Sequence, residues 1–257
     1  MKKLIVFILA AAFLAAPRIQ AQDMFNHVSL GVSLGIDGIG IQAAAPMGDH
    51  FQLRAGYSLF PYTYSGDADF GTVKLGDTRR DMSKTPLSVS LWKGGLGNIL
   101  ADYYPGAGPF RVTAGFFVGS GKLLNVTADL SRILTPDEYG TLAIGLENGP
   151  TFSTDKNGIA TVHGLVGSVM PYLGIGFGHA VSEKTVSVTF DLGIAYTGGP
   201  KVQSYNYIRN TLNPSNPVET ITVTSATVEN KDDGILDKVA SLPLLPMMKL
   251  GVFFKLF

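Results

Sequence analysis

The sequence predicts an all-β protein: an eight-stranded antiparallel up-and-down transmembrane β-barrel with three long extracellular loops. Three observations predict it. Segments of about nine to eleven residues alternate strictly between apolar and small or polar residues. The chain opens on an export signal and carries no later apolar run of eighteen residues, so no helical span follows. The connections between the alternating segments sort by length onto opposite sides.

Alternation with period two means a strand with two unlike faces. Phe51, Leu53, Ala55, Tyr57 and Leu59 interleave with Gln52, Arg54, Gly56 and Ser58. Phe110, Val112, Ala114, Phe116 and Val118 interleave with Arg111, Thr113 and Gly115. Val186 through Tyr196 and Met248 through Leu256 repeat the pattern. An ordinary globular strand averages about five or six residues, whereas a tilted strand needs about nine to eleven to cross a bilayer. Composition agrees: 16% of residues are charged and 31 are glycine, against about 25% charged and about 7% glycine in soluble domains.

The signal is read over 1–21. Lys2 and Lys3 supply positive charge, Leu4 to Ala16 form an apolar run, and Ile19-Gln20-Ala21 is a cleavage site, leaving 22–257 as one barrel domain. The apolar run would rise only about 20 Å as a helix, too short for a hydrocarbon core of roughly 30 Å. The chain has no cysteine, which excludes a disulfide framework, a thiolate metal site and a lipid-carrying N-terminus. Twenty basic against twenty acidic residues give no pull toward nucleic acid.

Eight strands are read at 28–36, 39–46, 51–60, 88–104, 110–119, 169–178, 185–196 and 247–257, with Gly94-Gly95 a break point in the fourth. Asp37-Gly38 is a two-residue hairpin turn. With the first strand starting in the periplasm, the short turns at 47–50, 105–109 and 179–184 fall there with both chain ends. The long connections, 61–87, 120–168 and 197–246, fall outside, the asymmetry of outer-membrane barrels. Thr135-Pro136-Asp137-Glu138 carries the capping signature of a short helix in the second long loop.

Several segments carry a family likeness: Phe51 through Tyr57, Ala101-Asp102-Tyr103-Tyr104-Pro105, Phe110 through Gly115, Pro171 through Gly178 and Asp191 through Tyr196. On these the chain resembles small Gram-negative outer-membrane barrels of the outer-membrane protein W and OmpA-transmembrane-domain-like group. The resemblance covers most strands and none of the long loops. It implies location in the bacterial outer membrane, contact with outer-membrane lipid, and delivery to the barrel-assembly machinery through the C-terminal strand. One departure concerns Phe257, which shares its phase with Lys249, Gly251, Phe253 and Lys255 instead of the lipid-facing set.

Candidate site residues are the charges on the non-lipid faces: Arg54, Asp102, Arg111, Asp191, Lys249 and Lys255. They form either a charged lumen that passes a solute or an internal network that fills a narrow barrel, and the balance of signs favours the network. Gly174, Gly176 and Gly178 lie inside a strand, unlike a phosphate loop. Asp67, Asp69 and Gly71, and Asp232, Asp233 and Gly234, lack the downstream glutamate of a calcium loop. His27, His50, His163 and His179 have no metal-ligand spacing. No cofactor, metal or catalytic motif emerges. The expected role is structural or surface interaction through the long loops. A narrow conduit for small or apolar solutes is the alternative, and a lipid-modifying enzyme is a more distant one.

Overall fold

The structure is a computed structural model that describes residues 27–69, 71–75, 78–106, 108–140, 144–145, 151–209, 218–227 and 243–256. The signal segment 1–21, Asp232, Asp233 and Gly234, and Phe257 lie outside the described residues. In chain order the strands are β1 (Ser29–Gly35), β2 (Gly38–Pro46), β3 (Phe51–Leu59), β4 (Thr63–Ala68), β5 (Thr72–Leu75), β6 (Thr78–Asp81), β7 (Thr85–Leu91), β8 (Leu96–Tyr103) and β9 (Phe110–Gly119). They continue with β10 (Lys122–Asp129), β11 (Ile144–Gly145), β12 (Thr151–Phe152), β13 (Ile159–Leu165), β14 (Val169–Phe177), β15 (Val186–Tyr196), β16 (Lys201–Arg209), β17 (Val218–Thr227) and β18 (Leu244–Lys255).

Eight of these close into an antiparallel barrel in the order β1-β18-β15-β14-β9-β8-β3-β2. β1 pairs with β18 from Ser29↔Lys255 to Gly35↔Lys249, so no barrel edge is left open. Closure matters because an edge in lipid would leave backbone donors and acceptors unsatisfied, at several kcal/mol each. Along each strand the predicted alternation separates two faces. In β3, Gln52, Arg54 and Ser58 are buried while Phe51, Leu53, Tyr57 and Leu59 are exposed.

The outward positions of the eight barrel strands form one apolar belt without a single charged residue. A water-soluble monomer rarely exposes a contiguous apolar patch beyond a few hundred Å². This is the surface of a membrane-spanning barrel. Aromatic rings gather near its rims, with Phe51 packed on Tyr103 at 5.0 Å and Phe110 on Phe177 at 5.6 Å at the end where β1 begins and β18 ends.

The segments at the other end, here called the far end, differ from the expected loops. They form a six-stranded sheet in the order β17-β16-β13-β10-β7-β4. β4 directly follows β3, β7 precedes β8, β10 follows β9, β13 precedes β14, and β16 follows β15. Five barrel strands therefore continue directly into this sheet, and β17 pairs with β16 as its sixth strand. The β1–β2 hairpin, turned at Asp37-Gly38, stops at barrel height. The predicted fourth strand, 88–104, is accordingly two: β7 belongs to the far sheet and β8 to the barrel. The break is Trp92 to Gly95, where Trp92 (φ 48°), Gly94 (φ 89°) and Gly95 (φ 75°) take the left-handed backbone that ends a ladder.

No helix occurs among the described residues, so the expectation at Thr135 is corrected. The capping contacts are partly present. Thr135 N–H and Oγ1–H both donate to Glu138 Oε2, at 2.8 and 3.0 Å. They close a turn and stop there, because Leu134 and Tyr139 are drawn into a small core with Met82, Leu130 and Ala160.

Candidate functional site

Arg54 on β3 and Asp191 on β15 stand on diametrically opposite walls, with three strands between them in either direction around the barrel. They nevertheless meet. Arg54 Nη1 lies 2.9 Å from Asp191 Oδ2, and Nη2 donates to Oδ1 at 2.9 Å. The same guanidinium reaches Asp102 on β8, Nε to Oδ2 at 2.7 Å and Nη2 to Oδ1 at 2.8 Å. This two-sided geometry uses the planar donor fork that arginine alone supplies.

Arg111 on β9 closes the group. Its Nη2 lies 2.7 Å from Asp191 Oδ1 and its Nε 3.4 Å from Asp102 Oδ1. Its Nη1 donates to the carbonyls of Phe177, at 3.2 Å, and Gly178. Gly176 on β14 lies in register between Arg111 and Asp191, and a Cβ there would stand 2.8 Å from Arg111 Nε. The strand glycines make room for side chains that cross the lumen. Thr113 Oγ1 adds a 2.7 Å hydrogen bond to Asp102. All four charged side chains are 6% exposed or less.

Lys249 on β18 stands across from Asp191 in register but pairs with a different carboxylate. Its Nζ lies 2.6 Å from Asp37 Oδ2 and 5.5 Å from the centre of the Phe117 ring. Asp37 is fully buried. The sequence reading treats it only as a turn residue, because an Asp-Gly pair explains a hairpin without any partner. Lys255 is half-buried at the end of β18 and forms no ion pair with either group among the described residues.

Apolar and polar plugs fill the lumen on both sides of the charges. Toward the far end, Trp92, Leu96, Leu100, Phe117, Met170, Tyr172, Ala195 and Met247 pack into one buried cluster. Toward the termini, the turn after β14 folds inward, burying Ala180 and Val181 against Ala44 and Phe253. Gln52 fixes that turn by donating from Nε2 to Val181 O at 2.9 Å and accepting from Val181 N at 3.1 Å. Tyr104 donates to Gln52 Oε1 at 3.1 Å and stacks on His179 at 4.5 Å. A cavity of about 10 Å³ remains beside Asp191 and Lys249, room for about one water and for no solute path.

The other candidates remain apart. Asp69 Oδ1 accepts from Gly71 N at 2.8 Å in an exposed turn. His50, His163 and His179 sit in three different places, and no group of three or more metal-ligating side chains occurs among the described residues.

No protein-family model matches the chain, and no curated protein matches it. Its fold is similar to the solved structure of CarO from Acinetobacter baumannii, at 18% identity over 90% of this chain and 98% of that one, with a TM-score of 0.43. CarO2 from the same organism gives the same values. A major outer membrane protein from Thermus thermophilus is similar at 14% identity over 89% of this chain and 99% of that one, with a TM-score of 0.37.

Proposed function

We propose that this chain is a bacterial outer-membrane protein with a closed lumen that acts through its far sheet, in envelope structure or surface interaction. One observation carries the reading: an ion pair between opposite walls, Arg54 to Asp191, crosses the barrel and is sealed above and below by packed side chains. Opening a path would require separating buried charges, and removing one partner of such a pair costs about 3–5 kcal/mol. A conduit therefore fits the lumen poorly. The far sheet, by contrast, holds more ordered backbone than hairpin connections need.

Single-channel recording of the purified protein in planar bilayers tests this reading. The expected trace is silent. Discrete, reproducible openings would replace the closed-lumen reading with the conduit. Delivery to the barrel-assembly machinery through the C-terminal strand belongs to the same proposal. It is checked by crosslinking from β18 during assembly, where absence of any crosslink would count against it.

A further inference from the structure

A second concave site lies at the junction of barrel and far sheet, floored by Phe60, Leu91 and Trp92 where the lumen cluster ends. Register places Thr63, Ser90, Asn125, His163 and Gln203 side by side on β4, β7, β10, β13 and β16. Residues directly opposite across antiparallel strands share a face. This face therefore presents a row of uncharged hydrogen-bonding side chains, with Ser65, Ser88, Thr127 and Thr161 as the next row. The opposite face at the same level holds Tyr64, Val89, Val126 and Val162.

Thr63, Ser88, Ser90, Asn125 and Thr127 line a pocket of about 490 Å³, inside the roughly 300–1,000 Å³ range of small-molecule sites. Asn125 is the telling residue. It is 8% exposed, its Nδ2 donates to Ser90 Oγ at 3.4 Å, and its Oδ1 has no partner. Whichever way the amide is turned, one end lacks a partner. A buried amide end is costly to leave unmade, so a ligand that supplies the missing hydrogen bond gains by entering the pocket.

Four neighbours define that ligand. Leu59, the last outward residue of β3, forms the lower edge, so the pocket opens where the apolar belt ends. Lys93 lines the same pocket, and the positive charges of Lys122 and Lys93 bear on His163, which stands beside Asn125 in the same row. Phe60 and Trp92 add aromatic surface at the floor. Hydroxyls and an amide suit a sugar ring, lysine suits an attached phosphate, and the belt suits acyl chains.

We propose that this pocket holds the phosphorylated sugar headgroup of a membrane glycolipid whose acyl chains lie along the belt below Leu59. The inference rests on the membrane-barrel reading above. Trp92 is the only tryptophan of the chain and lines the pocket, so its fluorescence reports on occupancy.

The full-length mature protein is reconstituted in phosphatidylcholine vesicles containing rising mole fractions of an acylated, bis-phosphorylated glucosamine disaccharide. Native protein is expected to give a saturable Trp92 response. Lys93→Glu, at an exposed position, and Asn125→Leu should each raise the midpoint about tenfold, the scale of one charge-assisted or buried hydrogen bond. Tyr64→Ser, on the opposite face, should leave it unchanged. The proposal is overturned if Lys93→Glu binds like the native protein, or if inserted protein gives no saturable response. Equal binding of the acyl-free or of the dephosphorylated disaccharide also overturns it, by pointing to a free saccharide or a neutral headgroup. Failure of the protein to resist carbonate extraction from the vesicles would instead defeat the membrane reading itself.

Discussion

At the scale of single residues the lumen depends on Arg54, because one guanidinium serves two carboxylates on different walls. Arg54→Met leaves Asp102 and Asp191 with Arg111 as their common cation. The expected loss is about 3–5 kcal/mol, read as a lower urea midpoint for folding into lipid vesicles. Thr189→Val should behave differently. Thr189 is 1% exposed and its Oγ1 has no partner, so a methyl group in its place should be neutral or stabilising by up to about 1 kcal/mol. His163 supplies a pH test. Its burial, with Lys122 and Lys93 nearby, holds its pKa below the ordinary histidine range. The unfolded chain therefore binds a proton first as pH falls below about 6.5, and the far sheet should lose stability from there downward. Protease susceptibility of β13 at pH 7.5 and 5.5 checks this, and His163→Gln should abolish the difference. The phase of each strand assigns a side to a charged residue but never a partner on the opposite wall. For that reason Asp37 was not legible as the mate of Lys249.

At the scale of elements, the barrel strands were legible because lipid and lumen impose opposite chemistry on alternate residues. Leu192→Arg tests that division on β15, where Leu192 is exposed on the belt. A charge at the bilayer midplane costs roughly 2–4 kcal/mol, so insertion yield should fall sharply, while the inward Thr189→Val variant inserts normally. The far strands were not legible. Segments such as Val202-Gln203-Ser204-Tyr205-Asn206 carry polar residues on both faces, and without a strong apolar period they look like loop. Thr135 to Glu138 shows the converse error. A local capping signature was present, but Leu134 and Tyr139 went to a tertiary core before a helix could propagate.

At the scale of the whole molecule, loop parity placed the long connections at one end and the short turns at 47–50, 105–109 and 179–184 at the other, and the strand order agrees. Parity could not say that the long segments are themselves sheet, nor that the sheet shares its core with the barrel. Leu91, Leu123, Val166 and Leu245 pack onto the buried cluster around Trp92. Shortening the far strands above these four residues should leave a barrel that folds and inserts. Cutting below them should expose the cluster and abolish heat-resistant migration on gels. Protease added to intact cells should cut only in the far segments, and cleavage at 105–109 would reverse the assigned orientation. The ion pairs have an electrical consequence as well. Arg54, Arg111 and Lys249 are matched by Asp102, Asp191 and Asp37. A transmembrane potential does about 2.3 kcal/mol of work per elementary charge per 100 mV, but these six groups sum to zero. An applied voltage finds no net charge to move among them, so the state of the packed lumen should not follow the field.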